Sequence, residues 1–200
     1  MRKNSELRNA AVDTLSGKWG NGAVATLIYF LITIALVMIV GEKYVNLVSL
    51  LLLPLEWGVT CYFLSLYRRN EVRYSMIFEG YKDFGRIFLT LLLQTIYTML
   101  WALLLIVPGV IKGFSYVMTP FILRDEPDMK NNAAIEKSMA MMDGHKMQFF
   151  LLELSFIGWG LLSCLTLGIG FLFLLPYMYT AYAAFYEDVK AEYESRCCNE

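Results

Sequence analysis

The chain has 200 residues, of which 58% are apolar and 18% are charged, and its formal net charge is −1. Soluble domains contain about 45–50% apolar residues with glycine included and about 25% charged residues. The composition therefore excludes a soluble enzyme and indicates that lipid covers part of the surface, while the near-neutral charge provides no basic surface for nucleic acid.

Six segments of the chain are apolar over lengths that approach a membrane span. A spanning helix needs about 20 mostly apolar residues, because the hydrocarbon core of a bilayer is about 30 Å thick. In chain order the segments are 22–40, 47–67, 84–107, 110–123, 147–165 and 169–186. The sequence therefore predicts an all-α fold, a polytopic membrane helix bundle with six transmembrane helices.

Two pairs of neighbouring segments are joined by very short turns. Residues 84–123 would form a continuous helix of about 60 Å at 1.5 Å per residue, which is twice the hydrocarbon thickness. Pro108 removes a backbone donor and Gly109 permits a sharp turn, so we expect a hairpin here rather than one kinked helix. The same length argument predicts a second tight hairpin at residues 166–170.

Basic residues are distributed unevenly between the two ends of the predicted bundle. With six spans, the N-terminus, residues 67–86, residues 124–146 and the C-terminus lie on one side. Of the 17 lysine and arginine residues, all but Lys43 and Lys112 fall on that side. The positive-inside rule therefore predicts a cytoplasmic membrane protein with both termini in the cytoplasm.

Recurring motifs suggest three tandem units, residues 1–67, 68–124 and 125–188. Each unit would contain a short amphipathic interfacial helix followed by a transmembrane hairpin. A glycine lies one or two residues before a lysine ahead of each outgoing helix, at Gly17, Gly80 and Gly144. Each returning helix carries an early proline, at Pro54, Pro108 and Pro176.

Two interpretations of these motifs stay open. If the repeat is real, the hairpins could pack around a pseudo-threefold axis, and any site would lie between units. The alternative is convergence, because glycine at turns and lysine at cytoplasmic helix ends are common. In either case we expect residues 1–188 to form a single membrane domain, with residues 189–200 as a cytoplasmic tail.

The residues that support common enzyme chemistry are missing. His145 is the single histidine, so there is no histidine cluster for zinc and no separate base for a membrane-buried serine. No metalloprotease, nucleophile-elbow, phosphate-loop or dinucleotide motif occurs, and the four cysteines form no CxxC pair. We therefore expect no catalytic residue, no metal and no cofactor, and predict that the protein is not an enzyme.

Polar residues inside the spans are the candidates for a ligand-binding site, because they are costly in a bilayer. Glu56 lies about 13 Å along the second span, close to the midplane. Gln94 is at middle depth in the third span, and Glu153 is about 9 Å into the fifth. These residues could line a path or pocket for a proton, a cation or a polar lipid head. Alternatively, they form hydrogen bonds between helices.

Several motifs together resemble a known family. They are WALLLIVPGVIK at 101–112, SMxMMxGxK at 138–146, LSFIGW at 154–159, TLGIG at 166–170, Pro176-Tyr177, and LxGxW at 15–19. This set covers most of residues 7–187 and is similar to the bacterial integral-membrane family called domain of unknown function 975. The resemblance implies a bacterial multi-pass membrane protein without an assigned activity, and it supplies no catalytic residues.

Two functions fit these observations. Short outer loops and a charged cytoplasmic face favour a non-enzymatic scaffold, regulator or accessory factor, with a protein partner at that face. The alternative is a lipid or small-solute transporter with a midplane polar site around Glu56, since Pro54 and Gly58 beside it are typical of interrupted transporter helices. In both cases we expect membrane lipids as partners and no nucleic acid.

Overall fold

The computed structural model describes residues 1–198, and for Glu42 the backbone alone. The described part is all-α and contains no strand, which confirms the predicted fold class at this level. Two 3-10 helices, Glu42–Tyr44 and Tyr74–Tyr81, accompany the α-helices. The α-helices are α1 (Asn4–Leu15), α2 (Trp19–Val40), α3 (Val45–Leu51), α4 (Leu53–Tyr67), α5 (Phe84–Leu104), α6 (Ile106–Tyr116), α7 (Thr119–Asp125), α8 (Asn132–Met141), α9 (Lys146–Leu165) and α10 (Phe171–Cys197).

Four helical segments are long and apolar enough to cross a membrane. They are α2, α5, the α6–α7 segment Ile106–Asp125, and α9. Helices α3 and α4 form a fifth candidate, which is bent by 45°. Helix α10 does not meet this criterion, because tyrosines and the acidic residues Glu187 and Asp188 lower its apolar content. The structure thus supports four or five of the six predicted spans, and the sixth stays a prediction.

The first predicted hairpin is present, but its turn is not where the sequence suggested. Leu105, with φ −158° and ψ 135°, separates α5 from α6. Pro108 lies in the first turn of α6, where the missing backbone N–H costs no helical hydrogen bond. Gly109 brings the two arms together, since a Cβ there would lie 2.6 Å from the Ala102 Cα. The glycine therefore serves helix packing rather than the turn.

The second predicted hairpin is confirmed at residues 166–170. Leu167 and Gly168 adopt positive φ angles of 54° and 88°, and the Thr166 Oγ1 accepts a hydrogen bond of 2.9 Å from the Gly170 N–H. A Cβ on Gly170 would lie 2.7 Å from the Ser163 Cα. Gly170 thus permits the same close approach of two arms as Gly109 in the first hairpin.

Two of the returning helices are interrupted near their middle. Helix α3 ends before Leu52 and α4 begins with Pro54 in its first turn. Helix α6 ends at Tyr116 and α7 begins with Pro120 in its first turn. Pro108, which the sequence pattern matched to Pro54, is therefore not the equivalent residue, and Pro120 takes this position. Helix α10 runs through Pro176 without a break.

The short helices pack against these returning helices. The Tyr74–Tyr81 helix touches α4 so closely that a Cβ on Gly58 would lie 2.0 Å from the Ile77 carbonyl oxygen. In α8, the Ser138 Oγ donates to the Ser115 carbonyl (2.8 Å) and accepts from the Met118 N–H (3.2 Å), so it joins the two sides of the α6–α7 break. Helix α1 packs along α10.

Short helices are present at the three predicted places, but their apolar faces cover protein, and their position at a membrane interface stays a prediction. Leu7, Ala11 and Leu15 of α1 are fully buried, as are Ile77 and Ser138. Each of the three short helices contacts the returning helix of another proposed unit, and the contact of α1 with α10 closes the cycle. The repeat itself stays a prediction, because Tyr74–Tyr81 is a 3-10 helix and α10 is unbroken.

Candidate functional site

Two adjoining cavities lie between α4, α5, α7 and α10, and we call them together the Glu56 cavity. Their volumes are about 210 and 300 Å³. Both are lined by Glu56, Thr60, Gln94 and Pro120. The structure therefore brings together Glu56 and Gln94, two of the three residues that the sequence singled out.

The Glu56 cavity is located where the two helix breaks meet. Glu56 belongs to the first turn of α4, two residues after Pro54. The indole Nε1 of Trp57 donates a hydrogen bond of 2.9 Å to the Pro120 carbonyl, which ties the start of α4 to the start of α7. Because the N-terminal end of a helix carries a partial positive charge, the start of α4 is a favourable position for the carboxylate of Glu56 itself.

Two polar groups of the cavity, the Glu56 carboxylate and the Gln94 Oε1, have no ion pair or hydrogen bond among the described residues. No ion pair formed by the described residues involves Glu56, whose side chain is exposed. The Gln94 Oε1 is buried and accepts no hydrogen bond from any of the residues that the structure describes. The nearby Thr60 hydroxyl donates to the Glu56 backbone carbonyl (3.1 Å), and its oxygen lone pairs are left for another donor. The site thus presents acceptors to any molecule that enters it.

Glu153 is placed apart from this cavity. It lies on α9 beside Tyr182 of α10, and Tyr182 lines the larger of the two cavities. Tyr179, one helical turn earlier, is a neighbour of Glu56. Sequence analysis missed both tyrosines, although their spacing of three residues puts them on one face of a helix. They connect Glu56 and Glu153 through α10, but the two carboxyl groups do not share a cavity.

A second polar region, which we call the charged end, forms around Asp125. This carboxylate is only 8% exposed and accepts two hydrogen bonds from the Arg68 guanidinium, at 2.6 and 2.7 Å. Lys190 and the Tyr186 hydroxyl also donate to it, the latter at 2.9 Å. Arg68 additionally binds Glu187 at 2.6 Å. The hydrogen bond with Asp125 raises the pKa of the Arg68 guanidinium above its ordinary value.

Further ion pairs extend the charged end across the four basic segments of the chain. Arg2 binds Asp188 and donates to the Tyr67 hydroxyl at 3.0 Å. Arg124 binds Glu79 at 2.6 Å. These contacts place the N-terminus, residues 67–86, residues 124–146 and the end of α10 together, as the distribution of basic residues predicts.

The single histidine, His145, is nearly buried. It is 9% exposed and lies under the end of α10, where its Nε2 is 3.2 Å from Glu192 and 2.8 Å from Arg196. Helix α10 continues to Cys197, so most of the predicted tail is helical. Among residues 1–198, no group of three histidine, cysteine or acidic side chains is arranged to hold a metal ion.

The fold is thus a helical bundle with four or five segments able to cross a membrane and a polar cavity at two helix breaks. The chain belongs to the family described as Protein of unknown function (DUF975), whose model matches residues 1–112 and 103–193. No curated protein and no solved structure matches it.

Proposed function

We propose that the chain is a multi-pass protein of the bacterial cytoplasmic membrane, with six transmembrane helices and both termini in the cytoplasm. The four basic segments meet at the charged end, as an even number of passes between them requires. Helix α10 serves as the sixth span. Its tyrosines are tolerated because they pack against neighbouring helices: Tyr179 stacks on Phe63 of α4 and Tyr182 contacts Phe149 of α9, while Tyr186 is 1% exposed.

Cysteine labelling in whole cells tests this topology. The four native cysteines are replaced by serine, and a single cysteine is introduced at Lys43 or at Lys130. A membrane-impermeant maleimide should label Lys43→Cys in intact cells and Lys130→Cys only after permeabilisation. Labelling of both positions in intact cells would contradict the proposed orientation.

We further propose that the protein is a transporter that binds a small cationic solute in the Glu56 cavity. The observation that supports this function is an intramembrane carboxylate without an ion-pair partner among the described residues, next to the unpartnered Gln94 Oε1, where two broken helices meet. Ionisable residues within membranes usually serve a ligand or ion, and transporters bind substrates at interrupted helices.

The chemistry of the cavity favours a ligand that donates hydrogen bonds or carries positive charge. Glu56 supplies the compensating negative charge, and the Gln94 carbonyl and Thr60 hydroxyl supply neutral acceptors. Tyr179 and Tyr182 of α10 also line the larger of the two cavities. A proton, a hydrated alkali cation or an alkylammonium group would satisfy this set, whereas an anion would be repelled by Glu56.

Proteoliposomes that contain a pH-sensitive dye test the transporter. Gradients of sodium, potassium or methylammonium are imposed across the vesicle wall, and proton movement is recorded. Wild type should respond to at least one gradient, Glu56→Gln should abolish the response, and Glu136→Gln on the exposed face of α8 should retain it. Equal rates in wild type, Glu56→Gln and empty vesicles would overturn the proposal.

A scaffold is the second candidate, and one surface favours it. Tyr74, Phe78 and Tyr81 of the 3-10 helix are between 39% and 45% exposed. These aromatic side chains could contact a partner protein. Co-purification of a stoichiometric partner that is lost in Phe78→Ser, together with no effect of Glu56→Gln on cell phenotype, would support this function over transport.

A further inference from the structure

An apolar pocket of about 350 Å³ lies on the other face of α10 from the Glu56 cavity. Its walls come from the start of α2, the second half of α9 and the beginning of α10, with Val12 of α1 at one side. The main lining side chains are Trp19, Trp159, Leu162, Phe173, Leu174 and Tyr177. The pocket therefore joins the first and the last of the three proposed units.

The occupant of this pocket has to be apolar. The Ser163 hydroxyl donates to the Trp159 carbonyl and the Thr166 hydroxyl to the Ser163 carbonyl, both at 2.8 Å, so these groups serve the helix itself. Trp159, Leu162 and Phe173 are each more than half exposed. The pocket thus opens onto the apolar surface that faces lipid in the proposed topology, and a hydrocarbon chain fits its lining.

Two basic residues without ion pairs flank the pocket. Arg8 lies one helical turn before Val12 on the same face of α1, and it is close enough to Tyr177 to interact electrostatically. Lys18 directly precedes Trp19. Neither takes part in the ion pairs of the described residues, whereas the arginines of the charged end are paired. Asp13 is also nearby, and its side chain is exposed.

We propose that this pocket binds one molecule of an anionic phospholipid, with an acyl chain between Trp159 and Phe173 and the phosphate held by Arg8 and Lys18. A single hydrocarbon chain gives only marginal binding, and each basic residue near an anionic surface strengthens binding about fivefold. The combination of an apolar pocket with unpaired cations selects an anionic lipid over a zwitterionic one. This inference rests on the proposed membrane location but not on transport through the Glu56 cavity.

Native mass spectrometry of the protein released from nanodiscs tests this site. The nanodiscs contain equal amounts of phosphatidylglycerol and phosphatidylcholine, and the retained lipids are counted for each variant. Wild type should retain one phosphatidylglycerol in preference to phosphatidylcholine. Arg8→Gln with Lys18→Gln should reduce this preference at least about fivefold. Val12→Trp, which fills the pocket from α1, should remove the retained lipid altogether.

Matched variants separate this site from general electrostatics and from misfolding. Lys82→Gln with Lys130→Gln removes two other basic residues that form no ion pair among the described residues and do not line the pocket, and it should retain the lipid. If Val12→Trp does not fold, Leu162→Trp fills the same pocket from α9. Glu56→Gln should also retain the lipid, so loss of transport leaves this result unchanged.

Two results would overturn the site. One is an equal loss of phosphatidylglycerol in the Lys82/Lys130 and Arg8/Lys18 double variants, which would show a diffuse attraction of anionic lipid. The other is full retention of the lipid by both pocket-filling variants when these remain folded.

Discussion

The charged end and the Glu56 cavity contain similar groups in opposite situations. At the charged end, the nearly buried Asp125 carboxylate has three donor side chains, and Arg68 joins it to Glu187. In the Glu56 cavity, the Glu56 carboxylate forms no ion pair with the described residues. The Gln94 Oε1 beside it accepts no hydrogen bond from them. Charges that are paired inside the protein stabilise the fold, whereas a buried polar atom without a partner, such as the Gln94 Oε1, lowers its stability.

This difference separates structural residues from functional ones. The charged end connects segments that are far apart in the sequence, as Arg2 and Asp188 illustrate. Its partners are fixed, so little is left for a ligand. The Glu56 cavity contributes less to the fold but has acceptors available, so substitutions in the two regions should differ in their effect on stability.

The largest expected effect is that of Asp125→Asn. The substitution leaves the Arg68 and Lys190 cations without their shared carboxylate in a nearly buried position, so we expect the free energy of unfolding to fall by about 3 kcal/mol. Thermal unfolding in a single detergent measures this loss. Glu71→Gln is the control: it removes an exposed pair with Arg73 at 3.7 Å, and its effect should stay below about 0.5 kcal/mol. Equal effects would remove the distinction between buried and exposed pairs.

Gly58→Ala tests the packing beside the Glu56 cavity, where close contact rather than charge stabilises the structure. The added Cβ would lie 2.0 Å from the Ile77 carbonyl oxygen, so α4 and the Tyr74–Tyr81 helix have to move apart. We expect a loss of about 2 kcal/mol in the free energy of unfolding. Gly160→Ala in α9 meets no atom within 4 Å and should be neutral or slightly stabilising. A similar loss in both variants would mean that the contact is not responsible.

Much of the bundle could be predicted because apolar length and charge can be read directly from the sequence. The lengths of two apolar stretches predicted the hairpins, and the distribution of basic residues predicted that four segments share one end. The turn at Leu105 and the break before Pro120 were missed, since a proline in the first turn of a helix looks the same in sequence as a proline at a turn. Distinguishing them requires knowledge of which helix each residue packs against.

The candidate site was predictable only in part. Glu56 and Gln94 are visible in the sequence because polar residues are rare in apolar segments. Tyr179 and Tyr182 were not recognised, because tyrosine is also common at membrane interfaces and their role depends on where α10 packs. Glu153 was grouped with Glu56 by depth alone, and depth does not determine which helix faces which.

Gln94→Leu should stabilise the protein while it impairs ligand binding. The buried Gln94 Oε1 accepts no hydrogen bond within the described part of the chain, so its removal relieves a desolvation cost, and we expect a gain of about 1 kcal/mol in the free energy of unfolding. Gln148→Leu provides the opposite case, because its side chain donates to the Arg2 carbonyl at 2.8 Å. That control should lose about 1 kcal/mol. A loss of stability in both would indicate that Gln94 has a structural partner.

Glu56→Gln is expected to change the free energy of unfolding least, by less than about 0.5 kcal/mol. The exposed carboxylate has no ion pair among the described residues, and glutamine keeps its size, so the folded state loses no contact. The same substitution should abolish cation-driven flux, because Glu56 is the only carboxylate among the described residues that line the cavity. A hydrogen bond between helices would give the reverse pattern, a measurable loss of stability with flux unchanged. Measuring both quantities on one preparation therefore decides whether Glu56 resembles Asp125 or differs from it.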